Sequence, residues 1–305
     1  MFYEKYLKAT KEKNSFININ LDPALPTQRR NQVIPDKFVS EEDSDTVLNF
    51  SLDIIEQASD YCCSVKPNTQ YFLGALPILR RVVNKIHDEG MIAILDHKLS
   101  DIGSTNDSAI FWISEMGFDA FTFSPFAGNV QETVQSAHKK NLGVIVLTLM
   151  SNPEAENVMI KTTVDGQPFY MHIAKKVKES RADGCVVGLT GFVKSEYIGN
   201  IQRIVGDKVV FLMQGIGPQG GEAAHIKYVT NPLVSLGRSV IYSQNPREVV
   251  KRYYDLFKSM HACNGNCKRF SEERNLHDRE RGMAFSRSPS GLRETTNQHT
   301  GIECS

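Results

Sequence analysis

The sequence predicts an α/β protein built as a closed parallel (β/α)8 TIM barrel. Short apolar runs, each of the length of a buried strand, alternate with longer segments whose apolar residues recur at three- and four-residue spacing. About eight such units fall within roughly 245 residues, which suits the size of a closed barrel. Several of the runs are apolar throughout, as a sheet covered on both faces requires.

The predicted strands combine high β-propensity with polar residues at their ends. They are Phe16–Leu21, Cys62–Lys66, Met91–Asp96, Ala120–Phe123, Val144–Thr148, Gly184–Leu189, Val209–Met213 and Leu233–Leu236. The predicted helices include Thr46–Ala58, Ala75–His87, Gly103–Met116, Tyr170–Ser180 and Pro246–Ser259. An open, doubly wound sheet is the structural alternative, but the sequence lacks the glycine-rich first turn that usually marks that fold.

Charge and composition exclude several classes of protein. Lys plus Arg and Asp plus Glu both total 35, so no overall field attracts nucleic acid or an anionic membrane. The first fifteen residues are charged and lack the apolar stretch of a signal peptide. Six cysteines in 305 residues do not suggest a disulfide scaffold, and we expect Cys62, Cys63 and Cys185 to be small core residues. We therefore expect a cytoplasmic protein.

The character of the chain changes after residue 262. The remaining sequence is rich in Arg, Ser, Asn and Gly and has no sustained apolar period. We therefore predict a barrel domain over residues 1–262 and a disordered polar tail over residues 263–305. His261, Cys263 and Cys267 do not have the spacing of a standard zinc site, so we expect the two cysteines to be spare thiols.

The strongest chemical signal is a group of charges at the end of the third predicted strand. Asp96 ends an apolar run, Lys98 follows two residues later, and Asp101 lies in the next loop. Alternation along a strand puts Asp96 and Lys98 on the same side. In a barrel, this end of the strand faces the active-site mouth. Two acids and a lysine so close together are costly to bury without a purpose, although a solvated loop with incidental ion pairs is the alternative.

Other strand ends carry polar residues that suit a phosphorylated ligand. Lys66 ends the second strand, where an unpartnered lysine would be unusual. The glycines of Gln214–Gly221 follow the seventh strand, and Arg238 follows the eighth. The loops after these two strands are the recurrent phosphate-binding site of barrel enzymes. Asp22 and Ser151 follow the first and fifth strands. A proline follows each of them within two residues, so each is also typical of an ordinary turn.

Residues 96–105, DHKLSDIGST, resemble the D-x-K-x-x-D-I-x-x-T signature of the orotidine 5′-monophosphate decarboxylase family. The other strand-end motifs follow in the family's order across roughly residues 16–260. One departure is Gln214, where many relatives carry proline. The resemblance implies an enzyme without a cofactor or metal that decarboxylates orotidine 5′-monophosphate to UMP, the last step of de novo pyrimidine nucleotide synthesis.

The resemblance also implies a role for each candidate residue. Lys66, Asp96, Lys98 and Asp101 would form a charge network in which Lys98 is the proton donor. The implied substrate-binding residues are Asp22 at the ribose, Ser151 at the pyrimidine, and Gln219, Gly237 and Arg238 at the 5′-phosphate. A homodimer is implied as well, with Asp101, Ile102 and Thr105 entering the partner's site.

Two other functions remain as alternatives. Mg²⁺-dependent lyases of the same barrel superfamily, such as hexulose-phosphate synthase, share a similar D-x-K-x-x-D element. Lys66 argues against them, because a cation there competes with a metal site lined by carboxylates. The second alternative is a non-catalytic nucleotide-binding barrel. Retention of all four charged positions argues against it, since a binding protein does not need this costly pairing.

Overall fold

A computed structural model of the chain describes residues 1–216 and 221–264. Residue contacts divide the chain into one unit of Met1–Leu256 and another of Phe257–Ser305. Of the second unit only the end of a helix, residues 257–264, is described. The predicted tail and Cys267 therefore lie almost wholly outside the described residues, and the boundary at residue 262 stays a prediction. None of the helices in the described ranges has the length and apolar character needed to cross a bilayer.

Eight parallel strands close into a barrel in the order β1-β10-β9-β8-β5-β4-β3-β2. The barrel strands are β1 (Ile17–Leu21), β2 (Ser64–Pro67), β3 (Ile92–Leu99), β4 (Ala120–Phe123), β5 (Gly143–Leu149), β8 (Gly184–Gly188), β9 (Val210–Gln214) and β10 (Pro232–Leu236). Each coincides with a predicted strand to within three residues at either end. The predicted barrel is confirmed, and the open sheet is wrong.

Helices surround the barrel. Four of the five helices named from the sequence are present with ends shifted by up to five residues, whereas the predicted helix Ala75–His87 is divided, because its α-helix begins only at Leu79, after a helical segment of another type in which Ala75 is not helical. The α-helices are α1 (Phe2–Lys13), α2 (Asp43–Ala58), α3 (Thr69–Phe72), α4 (Leu79–Asp88), α5 (Gly103–Glu115), α6 (Val130–Lys139), α7 (Pro153–Ala155), α8 (Phe169–Ser180), α9 (Ser195–Val205), α10 (Arg238–Ile241) and α11 (Pro246–Asn264). Short helical segments of other types cover Asp36–Phe38, Leu73–Ile78, Pro125–Ala127, Glu156–Lys161 and Gly221–Tyr228.

A short antiparallel hairpin, β6 (Thr163–Val164) and β7 (Gln167–Pro168), interrupts the strand–helix alternation. Its turn is Asp165–Gly166, and both residues have positive φ, as a two-residue hairpin turn requires.

Helix α1 closes the end of the barrel at which the strands begin, which we call the floor. Phe2, Tyr6 and Ala9 are buried and belong to one core cluster with residues of the barrel strands. The Tyr6 hydroxyl donates a hydrogen bond of 2.8 Å to the carbonyl oxygen of Pro232. A side chain at Gly143 would place its Cβ 2.6 Å from the Phe2 Cβ, so the helix fits only because this position is glycine.

The three cysteines of the strand regions are core residues, as predicted. Cys62, Cys63 and Cys185 are fully buried and not bonded to one another. Burial raises the pKa of Cys63 to about 12. Because the thiolate is the reactive form, these cysteines serve packing rather than chemistry.

Candidate active site

Three of the predicted charges meet at the opposite end of the barrel, which we call the mouth. Lys66 of β2 donates a hydrogen bond to Oδ2 of Asp96 in β3. Lys98 Nζ lies 2.8 Å from the other carboxylate oxygen, Oδ1. The Lys66 side chain is 1% exposed and that of Asp96 is 6% exposed, whereas the Lys98 side chain is 41% exposed. The cluster therefore presents one ammonium to the mouth and buries the other.

The two lysines keep Asp96 ionised in spite of its burial. Burial by itself raises the pKa of Asp96, but the charges of Lys66 and Lys98 and their hydrogen bonds lower it well below its usual range. Burial, followed by the positive charge of Lys98, also lowers the pKa of His97. Burying the charges of Lys66, Asp96 and Lys98 costs several kcal/mol per desolvated ion. The presence of this cluster therefore points to a role in chemistry rather than in stability.

The backbone at Lys98 is strained. Its φ is 53°, in the left-handed region, where a residue other than glycine costs about 1–2 kcal/mol. The register between β3 and β4 shifts at this point. Thr122, in β4, was not among the predicted site residues. Its hydroxyl donates to Asp96 Oδ1 at 2.9 Å and accepts from the Lys98 backbone amide, also at 2.9 Å.

Asp101 does not join this cluster within one chain. Its carboxylate accepts a hydrogen bond of 2.8 Å from the amide of Ile102, and among the described residues no bond joins it to Lys98. Its carbonyl oxygen accepts from Asn106 Nδ2 at 2.5 Å and from Asn129 Nδ2 at 3.0 Å. Asp101, Ile102 and Thr105 are all exposed at the start of α5. The predicted four-residue network is therefore a three-residue contact inside a single chain.

Ser151 lies on the same rim, after β5, and is held by two glycines. A Cβ at Gly188 would lie 2.5 Å from the Ser151 Cβ, and one at Gly191 would lie 2.9 Å from the Ser151 carbonyl oxygen. Both clashes involve parts of Ser151 that cannot move independently of the backbone. Glycine at these positions therefore lets the Ser151 loop rest on the segment that follows β8.

The proposed phosphate loops lie next to one another on the rim. Gly215 follows β9 with a φ of 101°, while residues 217–220, and with them the predicted Gln219, lie outside the described residues. Gly237 follows β10, and a Cβ there would approach Asn20 only to an ordinary contact of 3.7 Å. Arg238 begins α10 and is exposed, and its guanidinium makes no hydrogen bond or ion pair within residues 1–216 and 221–264.

Tyr242 ties the Arg238 segment to the loop that carries Asp22, a link that sequence reasoning missed. Its hydroxyl donates to the Asp22 carbonyl oxygen and accepts from the Ala24 amide at 2.7 Å. Its ring stacks on Phe50, with centroids 5.7 Å apart. Asp22 itself follows β1 and is partly exposed. The strand-end rule predicted where Asp22 lies, but it gave no signal for a tyrosine four residues after Arg238.

The chain resembles known proteins both in sequence and in fold. The sequence profile of the "Orotidine 5'-phosphate decarboxylase / HUMPS family" matches residues 45–253. The chain is 32% identical over 214 residues to the orotidine 5′-phosphate decarboxylase of Cupriavidus metallidurans, a match that covers 66% of this chain and 78% of the relative. It is 29% identical over 262 residues to that of Cupriavidus necator, covering 81% and 91%.

A solved structure, the OMP decarboxylase of Leishmania donovani, superposes on this chain with a TM-score of 0.70. The match covers 85% of this chain and 97% of that one at 19% sequence identity. At this identity the likeness shows the barrel fold.

Proposed function

The chain belongs to the orotidine 5′-phosphate decarboxylase / HUMPS family and is a carboxy-lyase, and we propose that it decarboxylates orotidine 5′-monophosphate with Lys98 as proton donor. The observation that carries this proposal is the contact of Lys98 and Lys66 with the two oxygens of one buried carboxylate. Lys98 is the partly exposed member, so its ammonium can meet a ligand at the mouth.

The reaction places unusual demands on the protein. When the bond from C6 of the pyrimidine to the carboxylate breaks, CO2 leaves and its electron pair stays in an sp² orbital at C6. No neighbouring carbonyl delocalises this pair easily, so the protein supplies electrostatic stabilisation. The Lys98 ammonium faces the developing carbanion and then gives C6 its proton. Lysine recovers the proton from solvent.

Asp96 has two functions in this proposal. It holds the Lys98 ammonium in place by a 2.8 Å hydrogen bond. It also keeps a negative charge near the position of the substrate carboxylate, which favours loss of that group as neutral CO2. The lowered pKa of Asp96 supports the second function, because the carboxylate then stays ionised below the usual range of an aspartate.

Binding energy from the rest of the substrate would hold the carboxylate in this position. We assign the 5′-phosphate to Gln219, Gly237 and Arg238, the ribose to Asp22, and the pyrimidine ring to Ser151. The guanidinium of Arg238 is exposed and has no partner among residues 1–216 and 221–264, which supports the phosphate assignment, since arginine binds phosphate oxygens through paired N–H groups.

We further propose a homodimer in which Asp101, Ile102 and Thr105 complete the partner's site. Ile102, which directly precedes α5, is 61% exposed, and Trp112, within α5, is also 61% exposed. Large apolar side chains exposed on one segment are typical of an interaction surface. The anchored but solvent-facing carboxylate of Asp101 suits a site on another chain. We also propose a cytoplasmic location, which the free thiols of the core support.

The Mg²⁺-dependent lyases of the superfamily are the second candidate function. In this chain both oxygens of Asp96 already bind ammonium groups, and Oδ1 also accepts the Thr122 hydroxyl. A metal ion at Asp96 would have to displace a lysine from it. This occupancy favours the lysine-based reaction.

One assay separates the candidates. The purified protein is incubated with orotidine 5′-monophosphate, and loss of the substrate's ultraviolet absorbance is followed with and without EDTA. We expect decarboxylation at the same rate in both samples. Loss of activity in EDTA would favour the metal-dependent lyase, and absence of activity in both samples would favour a non-catalytic binding protein.

A further inference from the structure

Thr122 lies opposite an irregular stretch of the neighbouring strand. In the register of β3 and β4, Leu95 pairs with Phe121 and Leu99 pairs with Phe123. Three residues of β3 therefore lie between the two pairs, whereas β4 has only Thr122. This irregular stretch contains both charged residues of β3, and Thr122 is the residue of β4 that faces it.

The Thr122 hydroxyl contacts both of these charged residues. It lies 2.9 Å from Asp96 Oδ1 and 2.9 Å from the Lys98 backbone nitrogen. An ionised carboxylate can only accept and an amide N–H can only donate, so the hydroxyl proton must point to Asp96. One hydroxyl thus joins the backbone of Lys98 to the carboxylate that its own ammonium contacts. Thr122 is fully buried, so water does not compete for these bonds.

We propose that Thr122 is the positioning residue for Lys98, holding its left-handed backbone so that the ammonium stays on Asp96 and faces the mouth. This proposal rests on the role of Lys98 as proton donor. We assign Thr122 no contact with the substrate, because its side chain is fully buried. Its removal should therefore slow the chemical step more than it weakens binding, because a small displacement of a catalytic group reduces the rate steeply.

The test compares three variants. Thr122→Val keeps the shape and removes the hydroxyl, whereas Thr122→Ser keeps the hydroxyl. Thr46→Val is the matched control, because Thr46 is also buried and its hydroxyl also accepts a backbone amide, that of Ser40 at 2.8 Å. For each variant kcat, KM, UMP affinity by calorimetry and the melting temperature are measured.

We expect Thr122→Val to lower kcat by about 10- to 100-fold while UMP affinity changes by less than about threefold. Thr122→Ser should keep kcat within about threefold of the wild type, because the hydroxyl is retained. Thr46→Val should keep the wild-type kcat. A Thr122→Val enzyme with wild-type kcat, or a serine variant as slow as the valine variant, would overturn the proposal.

Crystal structures of the two Thr122 variants separate this proposal from the proposed function. If the wild-type protein does not convert orotidine 5′-monophosphate, the proposed function fails, but the structures still test the role of Thr122. We expect Lys98 to leave the left-handed region in Thr122→Val and to keep it in Thr122→Ser. An unchanged Lys98 backbone and an intact contact to Asp96 in the valine variant would contradict the proposal.

Discussion

Asp96 and Asp119 are buried at opposite ends of the barrel and have different surroundings. Asp96, at the mouth, binds Lys66, Lys98 and the Thr122 hydroxyl. Asp119, at the floor, binds Lys5 Nζ at 2.6 Å, His87 Nε2 at 2.9 Å and the amide of Ala93 at 2.8 Å. Both carboxylates form ion pairs with lysine side chains, so ion pairing alone does not distinguish a catalytic aspartate from a structural one.

A hydrogen bond from a backbone amide distinguishes Asp119 from Asp96. Asp119 precedes β4 and accepts the amide of Ala93 in β3, so it joins neighbouring strands. The same arrangement recurs at Asp183, which precedes β8, accepts the Val144 amide of β5 at 3.0 Å and binds His138 Nε2 at 2.8 Å. A repeated contact of this kind indicates a role in folding. Among the residues that the structure describes, Asp96 instead accepts hydrogen bonds from side chains alone, and one of these donors, Lys98, is open to the mouth.

The largest effect we expect comes from removing that open donor. Lys98→Ala should lower kcat by about 10⁴-fold, because the reaction loses its general acid. Stability should change little, since Lys66 still pairs with Asp96. Lys5→Ala is the matched control, because it removes a partly exposed lysine from the buried acid of the floor. It should leave kcat unchanged. Substantial activity in the Lys98 variant would show that another group donates the proton.

A smaller effect at the mouth should come from Arg238→Ala. Loss of a charge-assisted contact of about 1.5–3 kcal/mol should weaken UMP binding by roughly 10- to 100-fold. Binding of uridine, which lacks the phosphate, should not change. Arg203→Ala, which removes an exposed arginine from α9, serves as the control in the same calorimetric titrations. If both ligands lose affinity equally, Arg238 does not bind the phosphate.

The barrel and the charged residues of its mouth could be predicted from sequence for a shared reason. Buried parallel strands are apolar, so charges such as Lys66 and Asp96 at their ends are conspicuous. Thr122 is not conspicuous, because threonine is common in strands and its role depends on an irregularity in the next strand. Position along a strand predicts which residues reach the mouth, but not which hydroxyl contacts which backbone amide.

The floor was harder to predict than the mouth. In the sequence, the segment of α1 resembles a charged surface segment, because its apolar face has only three residues that become buried, Phe2, Tyr6 and Ala9. Its partner surface is the open end of the barrel, which exists only after all eight strands have closed. The exposed start of α5 poses a similar problem, since the role of Asp101 depends on a second chain.

At the floor we expect mutations to affect folding rather than turnover. Asp119→Ala leaves the buried Ala93 amide without its acceptor, which should lower the free energy of unfolding by about 2–3 kcal/mol. The kcat of the folded protein should remain that of the wild type. Urea unfolding and the absorbance assay measure the two quantities. A large loss of kcat without a loss of stability would place Asp119 in the catalytic machinery and remove the distinction between the two ends.

The smallest expected effect concerns the pH dependence of the second floor pair. The hydrogen bond that His138 Nε2 donates to the Asp183 carboxylate raises the pKa of His138, and this outweighs the lowering by burial. The folded state therefore holds the proton more tightly than the unfolded chain. The resulting stabilisation is complete below about pH 6.5 and is lost as the pH rises through the raised pKa.

Because the His138 side chain is 35% exposed, solvent screening should limit this contribution to less than about 1 kcal/mol. His138→Gln should therefore reduce the fall in unfolding free energy between about pH 6 and about pH 9, as measured by urea titration. Its kcat should follow the wild-type pH profile, because the pair lies at the end of the barrel away from Lys98. If His138→Gln altered the pH profile of kcat but not that of the unfolding free energy, the His138–Asp183 pair would influence the catalytic lysine rather than the stability of the fold.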